Sequence, residues 1–177
     1  SRDEKWQIAL LRYFNPIGAH PTGLIGEDPK GTPNNLMPFI LKVAIGDLDE
    51  LKVFGGDYAT EDGTGKRDYI HVMDLAEGHV AALNWIFKQN KINSICEAFN
   101  LGTGKSTSVL ELLRSFVKYT GVEVAYSIAQ RRAGDIAECY ADPLLARGKL
   151  NWKTKRNLKE MIKDGWRWQE TNPSGFE

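Results

Sequence analysis

Residues 7–14 form an apolar run that stops at the breaker Asn15-Pro16. A run of that length reads as a strand buried in a parallel sheet. A parallel strand needs partners that return by long crossovers, so the rest of the chain has to alternate short strands with helices. It does. From Asn35, the apolar residues Leu36, Phe39, Ile40, Val43 and Ala44 repeat at helical spacing, and Gly46 follows as a stop signal. Residues 51–54 and 69–72 predict two short strands, with Asp74 placed to cap a helix running to about Lys88. Residues 98–101 predict a strand entering a glycine-rich turn. Ser108 and Glu111 then make a capping box for a helix with the face Val109, Leu112, Leu113, Phe116 and Val117, ended by Gly121. Residues 122–128 predict a strand, and residues 157–168 a final helix packing Leu158, Met161, Ile162 and Trp166. No repeat, low-complexity tract or linker interrupts this order.

With 177 residues and 42% hydrophobic content, the chain is expected to bury one core as one globular unit. Lys+Arg and Asp+Glu are equal at 23 each, so no global field draws the chain to nucleic acid or an anionic membrane, and any phosphate recognition must be local. Cys96 and Cys139 are far apart and form no C-x-x-C pair, which predicts free thiols and a cytoplasmic location. No stretch approaches the ~18 apolar residues of a membrane helix, and the charged opening SRDEK is no signal peptide.

Several familiar motifs fail on inspection. Gly102-Thr103-Gly104-Lys105-Ser106 suggests a phosphate loop, but the pattern needs a glycine where Phe99 stands. As a dinucleotide fingerprint it puts Thr107 in the place of the third glycine, so a tight strand-to-helix turn is the better reading. His20, His71 and His79 match no metal spacing, with His71 placed in a strand and His79 on a helix face. No local signature nominates a nucleophile.

What remains suits a diphosphate and a nucleoside. Arg67 and Arg132 fall at strand ends, where guanidinium forks could clamp a pyrophosphate, although from chemistry alone ordinary surface arginines are the commoner outcome. Asn34-Asn35 is a good helix cap, and a helix start also offers free N–H groups to an anion. Asn15, fixed by Pro16 at the carboxyl end of a strand, lies where ligands of open α/β sheets bind.

The blocks LRYFNPIGAHP, GEDPKGTPNNLMP, DYATEDGTGKRDYIHVMDLAEGH, NLGTG and RRAGD, in that order across nearly the whole chain, resemble the C-terminal half of the UDP-galactose (UDP-glucose) 4-epimerases, members of the extended short-chain dehydrogenase family. The resemblance implies an α/β fold: the last strands of a Rossmann-type parallel sheet plus a small substrate-binding domain, over residues 1–177. It implies that the backbone around Tyr13 and Phe14 lies near the nicotinamide of NAD. Asn15, Asn35 and the Leu36 amide would hold phosphate and sugar oxygens, and the main chain of Lys52 to Phe54 would read uracil. Arg67 and Arg132 become the diphosphate clamp, Asp135 the acceptor for ribose hydroxyls, Tyr69 a wall, and Cys139 the wall beside the sugar's C2 substituent.

The implied chemistry is C4 epimerisation of a UDP-hexose through a 4-keto sugar that swings over before reduction. That swing demands a strong grip on UDP and a weak one on the sugar. The family's Tyr-x-x-x-Lys pair is absent: positions four after Tyr13, Tyr58, Tyr69, Tyr119, Tyr126 and Tyr140 are Ile17, Asp62, Met73, Glu123, Gln130 and Leu144. This half is therefore expected to supply binding and no catalytic residue or metal site, to show no turnover alone, and to expose an apolar edge near residues 7–15. The complete enzyme would be a homodimer. The alternatives are a nucleotide-sugar dehydratase or decarboxylase of the same family, and a nucleotide-sugar-binding module without chemistry.

Overall fold

The computed structural model describes residues 6–31, 33–89 and 94–176. In chain order the elements are β1 (Gln7–Tyr13), β2 (Asn15–Ile17), α1 (Leu36–Ala44), β3 (Leu51–Phe54), β4 (Lys66–Arg67), β5 (Tyr69–His71) and α2 (Val72–Phe87). They continue as β6 (Ile95–Leu101), β7 (Thr107–Ser108), α3 (Val109–Thr120), β8 (Tyr126–Ala129), β9 (Glu138–Cys139), α4 (Leu144–Leu150) and α5 (Leu158–Thr171).

The strand at residues 7–14 finds its partner 88 positions downstream: β1 runs parallel to β6, in register from Gln7↔Ile95 to Tyr13↔Leu101. β6 is longer than the expected 98–101 because β1 offers ladder partners along its full length. β2–β5 and β3–β8 are also parallel pairs, while β4 pairs parallel with β9 and antiparallel with β7. Of the expected strand at 122–128, only 126–128 pair. Ladder contact begins where the Leu51 amide reaches the Ala125 carbonyl, and the four-residue β3 has nothing to offer residues 122–124.

One core was expected and two clusters are found. The first gathers Ile40, Leu41, Val53, Leu112, Phe116, Met161 and Ile162 from α1, β3, α3 and α5, with Phe116 and Trp166 edge-to-face at 5.7 Å. The second gathers Ile70, Leu75, Phe99, Leu101, Ala146 and Trp152 around α2, β6 and α4. The hydrophobic faces drawn from the sequence for α1, α3 and α5 pack the first cluster, with Val117 of α3 the one member left out. Capping boxes form at Ser108–Glu111 and Asn157–Glu160, and Gly121 closes α3 in the left-handed conformation.

Asp74 does not cap α2. The cap is His71, whose Nδ1 accepts from the Met73 amide at 3.0 Å. Asp74 sits within the first turn of the helix, fully buried, and accepts from the Lys155 and Arg156 amides at 3.0 Å and from the Arg156 guanidinium. It ties α2 to the segment before α5, a long-range role that local capping rules do not foresee.

α2 carries a second, outward stripe: Val72, Ala76, Val80, Leu83 and Phe87 recur at helical spacing on its exposed side, and Phe87 is 71% exposed. With Trp6 and Leu10 also exposed, the apolar surface expected near residues 7–15 is present and extends onto α2.

The other end of His71 matters as well. Its buried ring presents Nε2 to Asp164 on α5 at 3.2 Å, so β5, α2 and α5 meet at one imidazole. Burial pushes the His71 pKa below its ordinary value, with Asp164 working against the shift. An unfolded chain, with its imidazole near pKa ~6.5, then binds more protons than the folded one as pH falls. Stability is full above that pH and lost below it. Calorimetry should show Tm falling by a few degrees between pH 7 and 5, and His71→Gln should flatten that decline. Equal pH dependence in both proteins would exclude His71 as its source.

Candidate ligand-binding site

A cavity of about 380 Å³ opens beside the first core cluster, walled by the carboxyl ends of strands and the start of one helix. Each wall has a different chemistry.

The first wall is a strand edge. The Leu51 and Gly55 amides donate to the Ala125 and Ala129 carbonyls of the β8 segment. In a parallel ladder the N–H and C=O of one residue point to the same side, so those of Lys52 and Phe54 point the other way, to the open edge. Lys52 and Phe54 both line the cavity. The Lys52 ammonium is turned aside to Glu50 and to the Ser127 hydroxyl at 3.0 Å, leaving its main chain as the cavity-facing group.

The second wall is the start of α1. Asn35 is the N-cap by backbone conformation, yet its side chain makes no capping bond. The plain-cap alternative therefore fails. The Glu27 carboxyl is pushed up by burial and drawn back by the nearby Asn35 side chain. Pro38 has no N–H, and the amides of Leu36 and Met37 lack a side-chain cap from Asn35, with Leu36 itself lining the cavity.

The third wall is cationic. Arg67 is anchored by NH1 to the Lys66 carbonyl at 2.8 Å and the Ile136 carbonyl at 2.9 Å. Arg132 lies over the Phe54 ring at 5.1 Å and donates Nε to Asp135 at 2.9 Å. The Asp135 carboxylate is also 3.8 Å from Arg67 NH2, so it stands between the two guanidinium groups. The neighbouring Arg131 turns away, stacking on Tyr58 at 4.2 Å and pairing with Asp57 at 2.7 Å. Sequence alone could not say which member of the Arg131-Arg132 pair faces the cavity.

Asn15 and Tyr69 complete the floor as register partners in β2–β5. Burial pushes the Tyr69 phenol far above its ordinary pKa, with Arg67 opposing weakly, so Tyr69 stays neutral.

Nine of the sequence-derived candidates line this one cavity: Asn15, Asn35, Leu36, Lys52, Phe54, Arg67, Tyr69, Arg132 and Asp135. Cys139 is half-buried beside it, as the β9 register partner of Arg67. Tyr13 and Phe14 lie outside, at the end of β1. Tyr13 is exposed and its hydroxyl meets His79 Nε2 at 2.6 Å. Tyr58, Phe39 and Val109 line the cavity unforeseen: Phe39 and Val109 looked like ordinary core faces, and Tyr58 stood in a resembling block with no role assigned to it.

The Gly102-Thr103-Gly104 turn is not a free anion nest. The Thr103 and Gly104 amides both donate to Asp68, at 2.9 Å. A dinucleotide phosphate does not fit there. Among the described residues, no group of three or more His, Cys, Asp or Glu is placed to hold a metal ion, and no helix is long and apolar enough to cross a membrane.

These features describe an α/β protein with parallel strand pairs and a polar-walled cavity at their carboxyl ends. A family profile described as the NAD dependent epimerase/dehydratase family matches residues 1–102, and the chain belongs to that family. A UDP-glucose 4-epimerase of Bacillus subtilis is 57% identical over 175 residues, 99% of this chain and 50% of that protein. Solved structures agree in fold. UDP-glucose 4-epimerase from Bifidobacterium longum in complex with NAD+ and UDP superposes with a TM-score of 0.91 at 50% identity, over 99% of this chain and 51% of that one. The Stenotrophomonas maltophila enzyme with bound NAD and formylated UDP-arabinopyranose gives 0.90 at 52% identity, over 96% and 49%. The chain spans about half the length of the relatives it matches.

Proposed function

We propose that this chain is the UDP-binding part of a UDP-glucose 4-epimerase, an isomerase of cytoplasmic galactose metabolism. The observation that carries the proposal is the convergence of an open strand edge, an uncapped helix start and two arginines on one cavity. The main chain at Lys52 and Phe54 reads the uracil edge, whose donors and acceptors match an unpaired strand. Asp135 takes ribose hydroxyls. Arg67 and Arg132 hold the diphosphate by charge-assisted bonds that fix its two phosphoryl groups in place. Asn15, Asn35 and the Leu36 amide take the remaining phosphate and sugar oxygens.

That distribution puts the polar groups on UDP and few on the sugar, as a sugar that must turn over requires. NAD would carry hydride in the complete enzyme. In this chain the strand end at Tyr13 and Phe14 would lie near its nicotinamide, and the Gly102-Thr103-Gly104 turn is already taken by Asp68. This chain therefore binds and positions, and the complete enzyme, a homodimer, supplies the proton and hydride transfers. The names of the relatives favour an epimerase over a dehydratase or a chemistry-free module.

Calorimetric titration of UDP into the complete enzyme tests the assignment. Arg67→Ala or Arg132→Ala should each weaken UDP binding by about 1.5–3 kcal/mol, the range for hydrogen bonds to charged groups. Lysine should restore binding only in part, since an ammonium lacks the bidentate fork. Binding as tight as the parent's in both alanine variants would remove the diphosphate from this wall.

Cys139 sets substrate range. A thiol beside Arg67, where a tyrosine would add a ring and a hydroxyl, leaves room for an acetamido group on C2. The complete enzyme should interconvert UDP-GlcNAc and UDP-GalNAc as well as the hexoses. Cys139→Tyr should abolish turnover of the N-acetyl pair while largely sparing UDP-glucose and UDP-galactose. Equal loss on both pairs, or no N-acetyl activity in the parent, would overturn the volume argument.

A further inference from the structure

Between Arg67 and Tyr69, both of which line the cavity, stands a carboxylate that does not reach it. Asp68 is fully buried, and among the described residues the donors to its carboxylate are neutral amides and a hydroxyl. Oδ1 accepts from the Thr103 amide at 2.9 Å and the Thr103 hydroxyl at 2.5 Å. Oδ2 accepts from the amides of Gly104 at 2.9 Å, Thr103 at 3.0 Å and Ala141 at 3.1 Å. A buried carboxylate needs such donors to offset lost hydration, and they need it in turn. Gly102 has no room for a side chain, because a Cβ there would stand 2.7 Å from Asp68 Oδ2 and 2.6 Å from the Ala141 Cβ.

The main chain of the same residue reaches two other site positions. The Asp68 carbonyl accepts from the Asn15 amide at 2.9 Å, and the Asp68 amide donates to the Cys139 carbonyl at 3.1 Å. Asn15, Arg67, Tyr69 and Cys139 are thus each one peptide link or one hydrogen bond from Asp68. Its side chain fixes where that hub sits, by locking it to the β6–β7 turn and to the chain just after β9.

We propose that Asp68 is a positioning residue for the UDP-sugar site, holding Asn15, Arg67, Tyr69 and the Cys139 wall in mutual register from behind the cavity. The inference rests on the UDP assignment above. The isosteric change Asp68→Asn tests it, because it turns one acceptor into a donor facing amide N–H groups. Asp74→Asn is the control: another fully buried carboxylate, held by Lys155 and Arg156 and outside the cavity lining.

In the complete enzyme both variants should lower Tm, but only Asp68→Asn should weaken UDP binding, by roughly tenfold or more. Thr103→Val removes one donor with little change of shape and should act in the same direction by a few-fold, which keeps the test open if Asp68→Asn does not fold. UDP affinity within twofold of the parent in Asp68→Asn, or in Thr103→Val should the former not fold, would overturn the proposal. So would an equal loss in Asp74→Asn, since destabilisation alone would then explain it. If the parent itself binds no UDP, the site assignment falls and hydrogen exchange decides the role of Asp68. Faster exchange of the Asn15 and Ala141 amides in Asp68→Asn or Thr103→Val, unmatched in Asp74→Asn, supports positioning, and unchanged exchange there rejects it.

Discussion

Parallel pairing is the constraint from which the arrangement of this molecule follows. Strands that run the same way cannot be joined by a tight turn, so β1 reaches β6, β2 reaches β5 and β3 reaches β8 across intervening helices. Those crossovers put the carboxyl ends of paired strands on a common side. Asn15 follows β1, Phe54 ends β3, Arg67 ends β4, and Arg132 comes three residues after β8. The cavity is the space those ends share, where ligands of open α/β sheets bind. The polar groups there are carried on short elements whose other faces are packed into the first core cluster, so the site inherits the rigidity of that core.

Short strands make this arrangement fragile, and buried charges compensate. β4 and β9 have two residues each, too few for a ladder to fix by itself. Asp68, Asp74 and the His71–Asp164 pair each join segments that are distant in sequence, and each is inaccessible or nearly so. Such groups give direction that apolar packing lacks, since a misregistered strand would leave a buried carboxylate without its donors. The outer surface of α2 has no such provision. Its stripe of Val72, Ala76, Val80, Leu83 and Phe87 faces solvent beside an edge strand, a surface that favours association with other apolar faces.

Elements with a strong local signal were legible in the sequence. The periodicity of α1, the capping box of α3 and the glycine that closes it gave helices within a residue or two of those observed. α4 and the two-residue strands β4, β7 and β9 were not, because nothing local distinguishes them from loop, and they exist through partners contributed from elsewhere. Asp74 was misassigned for the same reason: its local position suits a cap, but its donors lie about 80 residues away. The candidate site was legible almost entirely through the resemblance. Chemistry alone left Arg67 and Arg132 as surface arginines and Asn35 as a cap. The geometry brings the two arginines to one carboxylate, with the Arg132 side chain still exposed, and withholds the Asn35 side chain from the helix it begins.

Asp135 shows how such a site can bind a dianion without being disordered in its absence. Two guanidinium groups on one wall repel, and each carries side-chain entropy that a ligand would otherwise have to remove. With the Asp135 carboxylate between them, Arg132 is held by a 2.9 Å bond and Arg67 is drawn within 3.8 Å, while backbone carbonyls fix the latter's NH1. Repulsion and entropy are thus reduced before any ligand arrives. The cost is competition, because a carboxylate already engaged lowers the net positive charge offered to a diphosphate. One carboxylate against two guanidinium groups still leaves that wall net positive, so the balance favours an anion. Ordering both guanidinium groups in advance means that an anion arriving at this wall has less side-chain entropy to remove, which fits the strong grip on a diphosphate proposed above.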